Sequence, residues 1–259
     1  MPVTIDGPAL QVRGIPVGEL APLTPREAAM LAATGELPAA STLSAFDILL
    51  ADTEAGARLA AAIRACDEAV NRILIEGDEP AADLARAFLT VTVGTAQCED
   101  LIHGASEAAD AASWIATLRT HTIDQAVDIS VRLRGRVPGF GHPRIVGLDP
   151  RFVAIHAVAM RTRANDEIIQ AMHAAVVDAP ARIAARSHEH DPARLLPNLY
   201  LPLGAGLAAA GLAPTVYAAR LVEVARRTWD AAEAVATAVA PGEPMTSAPG
   251  RGKTPGHDG

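Results

Sequence analysis

The sequence predicts an all-α protein, on two observations. Half of its 259 residues are hydrophobic yet only 3% are aromatic, so the core must be built from Ala, Leu, Val and Ile, which suits close-packed helices. Helix start and stop signals recur along the chain, and no convincing alternating strand run does. The first element is the clearest. In "LTPREAAMLAATGELP", Thr24 precedes Pro25, Glu27 stands three residues after Thr24, and Gly35 and Pro38 close the segment; this is a capping box with a proline first turn and a glycine stop. Further helices are predicted over 41–75, 80–95, 105–119, 122–132, 150–178, 202–211 and 215–239, with one short hairpin around Val12 to Val17. From Pro241 the tail "PGEPMTSAPGRGKTPGHDG" is too rich in Pro, Gly and polar residues to order itself.

Composition also bounds function. Charged residues interrupt every apolar stretch before the roughly 20 residues that a membrane span requires, so a soluble chain is expected. Residues Met1 to Arg13 lack the basic, apolar and small-residue succession of a secretory signal. Cys66 and Cys98 make no disulfide framework, which fits a reducing cytoplasm. A formal net charge of -8 argues against nucleic acid as the main partner. Small anions remain open, because a pocket can be locally positive in an acidic protein.

The densest chemistry lies in "GFGHPRIVGLDPR", residues 139 to 151. Gly139 and Gly141 flank Phe140 just before His142, and glycines allow a ligand to lie directly on a loop; an ordinary turn would look the same. Asp149 is a good N-cap and Pro150 suits the first helical position, which places Arg151 in the first turn. A cation there is opposed by the helix dipole by roughly 0.3 to 1 kcal/mol. Either a bound anion compensates, held by the guanidinium fork, or an exposed arginine tolerates the penalty. In "CEDLIHGASEAADAASWIATL", His103 and Gly104 lead into a helix with Ser106 as the expected cap. Near that terminus the imidazole stays neutral and can donate a hydrogen bond to developing negative charge, as an enolate needs. "SHEHD" at 187–191 offers His188 and His190 but no third matched ligand, so no metal is expected. Trp114 and Trp229 are read as core or dimer contacts, and Arg226 and Arg227 as decoration of a helix face.

Together these segments resemble the citrate synthase superfamily, its short citryl-CoA lyase branch most of all. The resemblance spans residues 10 to 239. It rests on "TGELP" at 34–38, "HGASEAA" at 103–109, "PGFGH" with "DPR" across 138–151, "LPNLYLPLGAGLAAAGLAP" at 196–214, and Arg220. It implies a helical homodimer with a large domain at 1–103 and 198–240, a small domain at 104–197, a tail at 241–259 and an active site in the interdomain cleft. The resemblance assigns His103 to the enol of an acyl-CoA thioester and His142 to the carbonyl or hydroxyl of the partner acid. It gives Arg151 and Arg220 the partner's carboxylates, places Asn198 at the substrate, and turns the backbone of Pro138, Gly139, Phe140 and Gly141 toward the CoA adenine. No tightly bound cofactor is implied; a coenzyme A thioester is the expected substrate or co-substrate, with a small carboxylate or acyl-CoA as partner.

The departures bear on mechanism. The family's catalytic base is the Asp of N-x-D, and counting from Asn198 that position is Tyr200. A phenol with a pKa of about 10 is a poor base at neutral pH. No histidine precedes His103, Ala105 replaces the second glycine of the H-G-G motif, and the family's C-terminal basic motif has no clear counterpart. Cleavage of a citryl-CoA-like substrate, or decarboxylation of a malonyl-type thioester, creates an enolate without proton abstraction; Tyr200 would then protonate it or line the pocket. The expected function is therefore Claisen or retro-Claisen type enolate chemistry on a carboxylated acyl-CoA. The rivals are a catalytically silent metabolite-binding homologue and a cleft rebuilt for decarboxylation, cyclisation or hydrolysis in a specialised biosynthetic pathway.

Overall fold

The structure is a computed structural model that describes residues 3–6, 9–12, 15–20, 22–95, 101–143 and 145–238. Side chains at 101–103 and along most of the first two strands fall outside that description, as do Cys98 and the tail from 239 onward. The described chain is all-α apart from a small N-terminal sheet. Strands β1 (Val3–Asp6), β2 (Ala9–Val12) and β3 (Ile15–Pro16) pair antiparallel, with Val12 opposite Ile15. The expected hairpin is the β2–β3 half; β1 adds a strand that the sequence reading did not anticipate.

Helix α1 (Pro25–Thr34) carries the predicted capping box. The Glu27 backbone N–H donates to Thr24 Oγ1 at 3.2 Å, the Thr24 N–H donates to Glu27 Oε2 at 2.8 Å, and Gly35 ends the helix at φ 77°. The helix expected over 41–75 is two, α2 (Ala40–Asp52) and α3 (Glu54–Glu76). Between them Thr53 is extended, and its hydroxyl accepts from the Gly56 N–H at 2.8 Å. A side-chain acceptor at that point satisfies the new helix's exposed donors, so the chain turns although the apolar pattern continues. Helix α4 spans Glu79–Thr95, α5 Leu101–Thr117 and α6 Ile123–Arg134. The expected helix 150–178 is also two, α7 (Pro150–Arg163) and α8 (Glu167–Ala184), and Asp166 caps the second by accepting from Ile168 N–H at 2.9 Å. Helices α9 (Tyr200–Ala209) and α10 (Pro214–Ala238) complete the fold.

Helix α10 lies against α3, α5, α1 and α4, and its face of Tyr217, Leu221, Ala225, Thr228, Trp229 and Ala232 is buried. Cys66 of α3 reaches Thr228 at 3.3 Å, and burial pushes its thiol up to about 11, which removes it from thiolate chemistry at neutral pH. Trp114 and Trp229 are both core residues. Arg226 and Arg227 are exposed and pair along their helix with Asp230 and Glu223. The boundary expected between 103 and 104 would cut α5, which packs on α9 and α10 of the expected large domain. Among the described residues no helix is long and apolar enough to cross a membrane.

Helices α7 and α8 meet through a column of rings. Phe152 stacks on His156 at 5.0 Å and His156 on His173 at 5.4 Å, with the facing ring nitrogens 3.3 Å apart. Burial first, and the neighbouring His173 second, lower His156 from its ordinary 6.5. The unfolded chain then takes the proton more readily than the folded one, so stability is full above pH about 6.5 and falls as pH drops through that value toward the lower folded-state one. Urea midpoints measured from pH 8 to pH 5 should show this decline, and His173→Gln should flatten it.

Candidate active site

The start of α5 is the focus of the site. Helix α5 begins at Leu101 rather than at 105, so His103 occupies its first turn and Ser106 is interior rather than its cap. The His103 side chain lies outside the described residues. Next to it, Gly104 touches Tyr200. A Cβ on Gly104 would collide with the Tyr200 hydroxyl and with its Cζ, 2.7 Å away. Only a glycine lets the phenol reach the helix backbone here. Tyr200 opens α9, is 5% exposed, and tilts against Phe88 with ring centroids 6.3 Å apart.

The glycine loop sits on the same two helices, but its polar groups face inward. Gly139 and Gly141 hold φ of 81° and 82°, a region that other residues avoid. The Gly139 N–H donates to Glu107 Oε1 at 2.7 Å, and its carbonyl accepts from the Asn198 N–H at 2.9 Å. The Gly141 N–H donates to the Leu196 carbonyl at 2.9 Å, while its own carbonyl accepts from Asn198 Nδ2 at 3.0 Å. Asn198 Oδ1 then accepts from the Tyr200 N–H at 3.0 Å. Phe140 packs edge-on against Trp114 at 5.4 Å, and Pro138 is buried. Of the segment Pro138, Gly139, Phe140 and Gly141 expected to face the CoA adenine, both glycines have their N–H groups bonded within the chain. Asn198 bridges the loop and α9. It acts as a clamp that joins the loop to the start of α9.

His142 leaves this loop half-buried, and its Nδ1 accepts from the Ile145 N–H at 2.9 Å. A ring accepting at Nδ1 carries its proton at Nε2 when neutral, which makes the outer nitrogen a donor. Arg151 answers its position in an unexpected way. Its side chain is fully enclosed, with Nε 3.0 Å from Asp149 Oδ1 and Nη2 2.8 Å from Oδ2, and Asp149 Oδ1 also accepts from the Arg151 N–H at 2.9 Å. One carboxylate thus caps α7 and neutralises the cation in its first turn, through the bidentate geometry once reserved for a ligand. The guanidinium expected to hold a ligand carboxylate is thus engaged by the carboxylate of Asp149.

No family model matches this sequence, and no curated protein does. Among solved structures, citrate synthase from Thermotoga maritima MSB8 aligns over 98% of this chain and 94% of its own at a TM-score of 0.58 and 14% identity. The fold is citrate synthase-like. A citryl-CoA lyase from Hydrogenobacter thermophilus covers 99% of this chain and 94% of its own at 15% identity, with a TM-score of 0.39.

On this citrate synthase-like scaffold, α5 and α9 bring Tyr200 to the helix turn that carries His103, and Glu107 fastens the loop that leads to His142. Arg220 is elsewhere. It lines a hollow with Arg72, Glu76 and Tyr217 from α3 and α10, and none of the other candidates lines that hollow. Asp78, two residues past Glu76, pairs with Arg163 in the last turn of α7. Arg151 is in the first turn, about 18 Å away along a straight helix at ~1.5 Å per residue. The sequence reading missed Glu107 as a positioning residue, although it stands within the quoted "HGASEAA"; a buried carboxylate that also pairs with Arg136 shows itself only when the loop is in place.

Proposed function

We propose that this chain is an enzyme that cleaves a carbon–carbon bond in a carboxylated acyl-CoA by way of an enolate. The reading rests on one observation, the Tyr200 hydroxyl drawn against Gly104 beside His103. In the proposed reaction the bond between the α-carbon and the departing group breaks and its electron pair becomes the enolate; the departing group leaves as carbon dioxide from a malonyl-type thioester, or from a citryl-type one as the oxo acid, its carbinol hydroxyl passing its proton to water as the bond breaks. His103 donates a hydrogen bond to the thioester oxygen, where negative charge gathers. His142 Nε2–H donates to an oxygen of the carboxylated arm. Tyr200 gives its phenolic proton to the α-carbon and regains one from water; as an acid it is in the correct state across the neutral range, which it would not be as a base. The reading includes no tightly bound cofactor, a homodimer, and a cytoplasmic home. Arg220 and Asn198 have no part in it.

Purified protein offered citryl-CoA, malonyl-CoA, or acetyl-CoA with oxaloacetate should turn over one of the first two and not the third. Tyr200→Phe should lower kcat by about 10²–10⁴-fold, the span of general acid–base assistance. Absence of turnover on all three, or full activity in Tyr200→Phe, overturns the reading. A second reading, a silent carboxylate-binding homologue, is favoured by the Asp149–Arg151 pair, which leaves that guanidinium already engaged. Saturable thermal stabilisation by those thioesters without turnover would select it.

A further inference from the structure

The hollow beside Arg220 has a charge that the chain does not balance. It encloses about 600 Å³ between the end of α3 and the first turns of α10, walled by Ala213, Val216 and Ala219 and by four ionisable side chains besides Arg220. Both of its carboxylates are committed. Glu76 accepts from the Tyr217 hydroxyl and from Arg72 Nε at 2.6 Å, and these partners hold its carboxyl below the usual range. Glu223 is paired with Arg227 one turn on. The Arg220 guanidinium makes no ion pair with any described residue, and its Nε is shut off from water without an acceptor. Such a group is an unmet demand for an oxyanion.

We propose that this hollow is a second small-molecule site that takes a compact carboxylate with a short apolar stem, independent of the α5–α9 site. The carboxylate would lie against the Arg220 guanidinium. Its stem would lie along Ala213, Val216 and Ala219, with the Tyr217–Glu76–Arg72 chain fixing one wall. The apolar side argues for a carboxylate over a phosphate, whose oxygens have no further cation to meet, since Arg72 is held by Glu76.

Titration calorimetry with butyrate, glutarate and inorganic phosphate tests the assignment on the full chain. Butyrate or glutarate should bind saturably to the wild type. Arg220→Met should weaken that binding at least tenfold, while circular dichroism shows an unchanged fold. Val216→Glu, which places a carboxylate one turn before Arg220 on the exposed rim, should abolish it. Binding should persist in Tyr200→Phe, so failure of the α5–α9 reading and failure of this one are read separately. No saturable carboxylate binding, binding that survives Arg220→Met, or phosphate binding in preference to both acids overturns the proposal.

Discussion

Asp149→Ala should cost about 3–5 kcal/mol of stability, the range for leaving a buried charge without its partner. The reason is that Arg151 is fully enclosed and its Nε and Nη2 both donate to that carboxylate. Losing an N-cap alone costs about 1 kcal/mol, so an effect well above that isolates the charge. Asp149→Ser combined with Arg151→Met separates the two contributions further, because serine restores the cap and methionine removes the cation. Equilibrium urea unfolding should place the double variant close to wild type. If Asp149→Ala alone loses only the cap-sized increment, the pair is not the buried unit described above.

Gly104→Ala should destabilise the chain by about 1–3 kcal/mol, the usual penalty for overpacking. Two effects compete at this position. Alanine is favoured over glycine inside a helix by about 1 kcal/mol, yet the added methyl group would stand in the space of the Tyr200 phenol. The collision prevails because the Tyr200 side chain is buried, with its ring tilted against Phe88. In a Tyr200→Leu background the ring end is gone, and the same Gly104→Ala change should become neutral or stabilising. A thermal-melt double-mutant cycle therefore reads the contact directly. Equal costs in both backgrounds would place the phenol elsewhere.

Much of the fold was legible in the sequence because its signals are local. The Thr24–Glu27 capping box and the Gly35 stop were written in neighbouring residues and reappear as such. The breaks at Thr53 and Asp166 were overlooked because the apolar spacing runs on through them, and a single capping side chain decides where the helix restarts. In the candidate site, local signals located the segments but not their partners. Asp149, Pro150 and Arg151 announced a helix start with a cation, but the anion that answers it is the capping residue itself, a pairing that depends on a burial no spacing reveals. The glycines of the loop did signal a close approach. What approaches it within the chain is Asn198, 57 residues further along. Arg220 could not be placed by pattern at all, since its surroundings come from the far end of α3.

The loop that bears His142 is tied through Glu107, Leu196 and Asn198, so its shape is set before any guest arrives. In the proposed reading a substrate meeting that imidazole would surrender no freedom of the loop, and the entropy that an induced closure would consume would be retained as affinity. Any yielding on binding would then have to come from elsewhere than this loop.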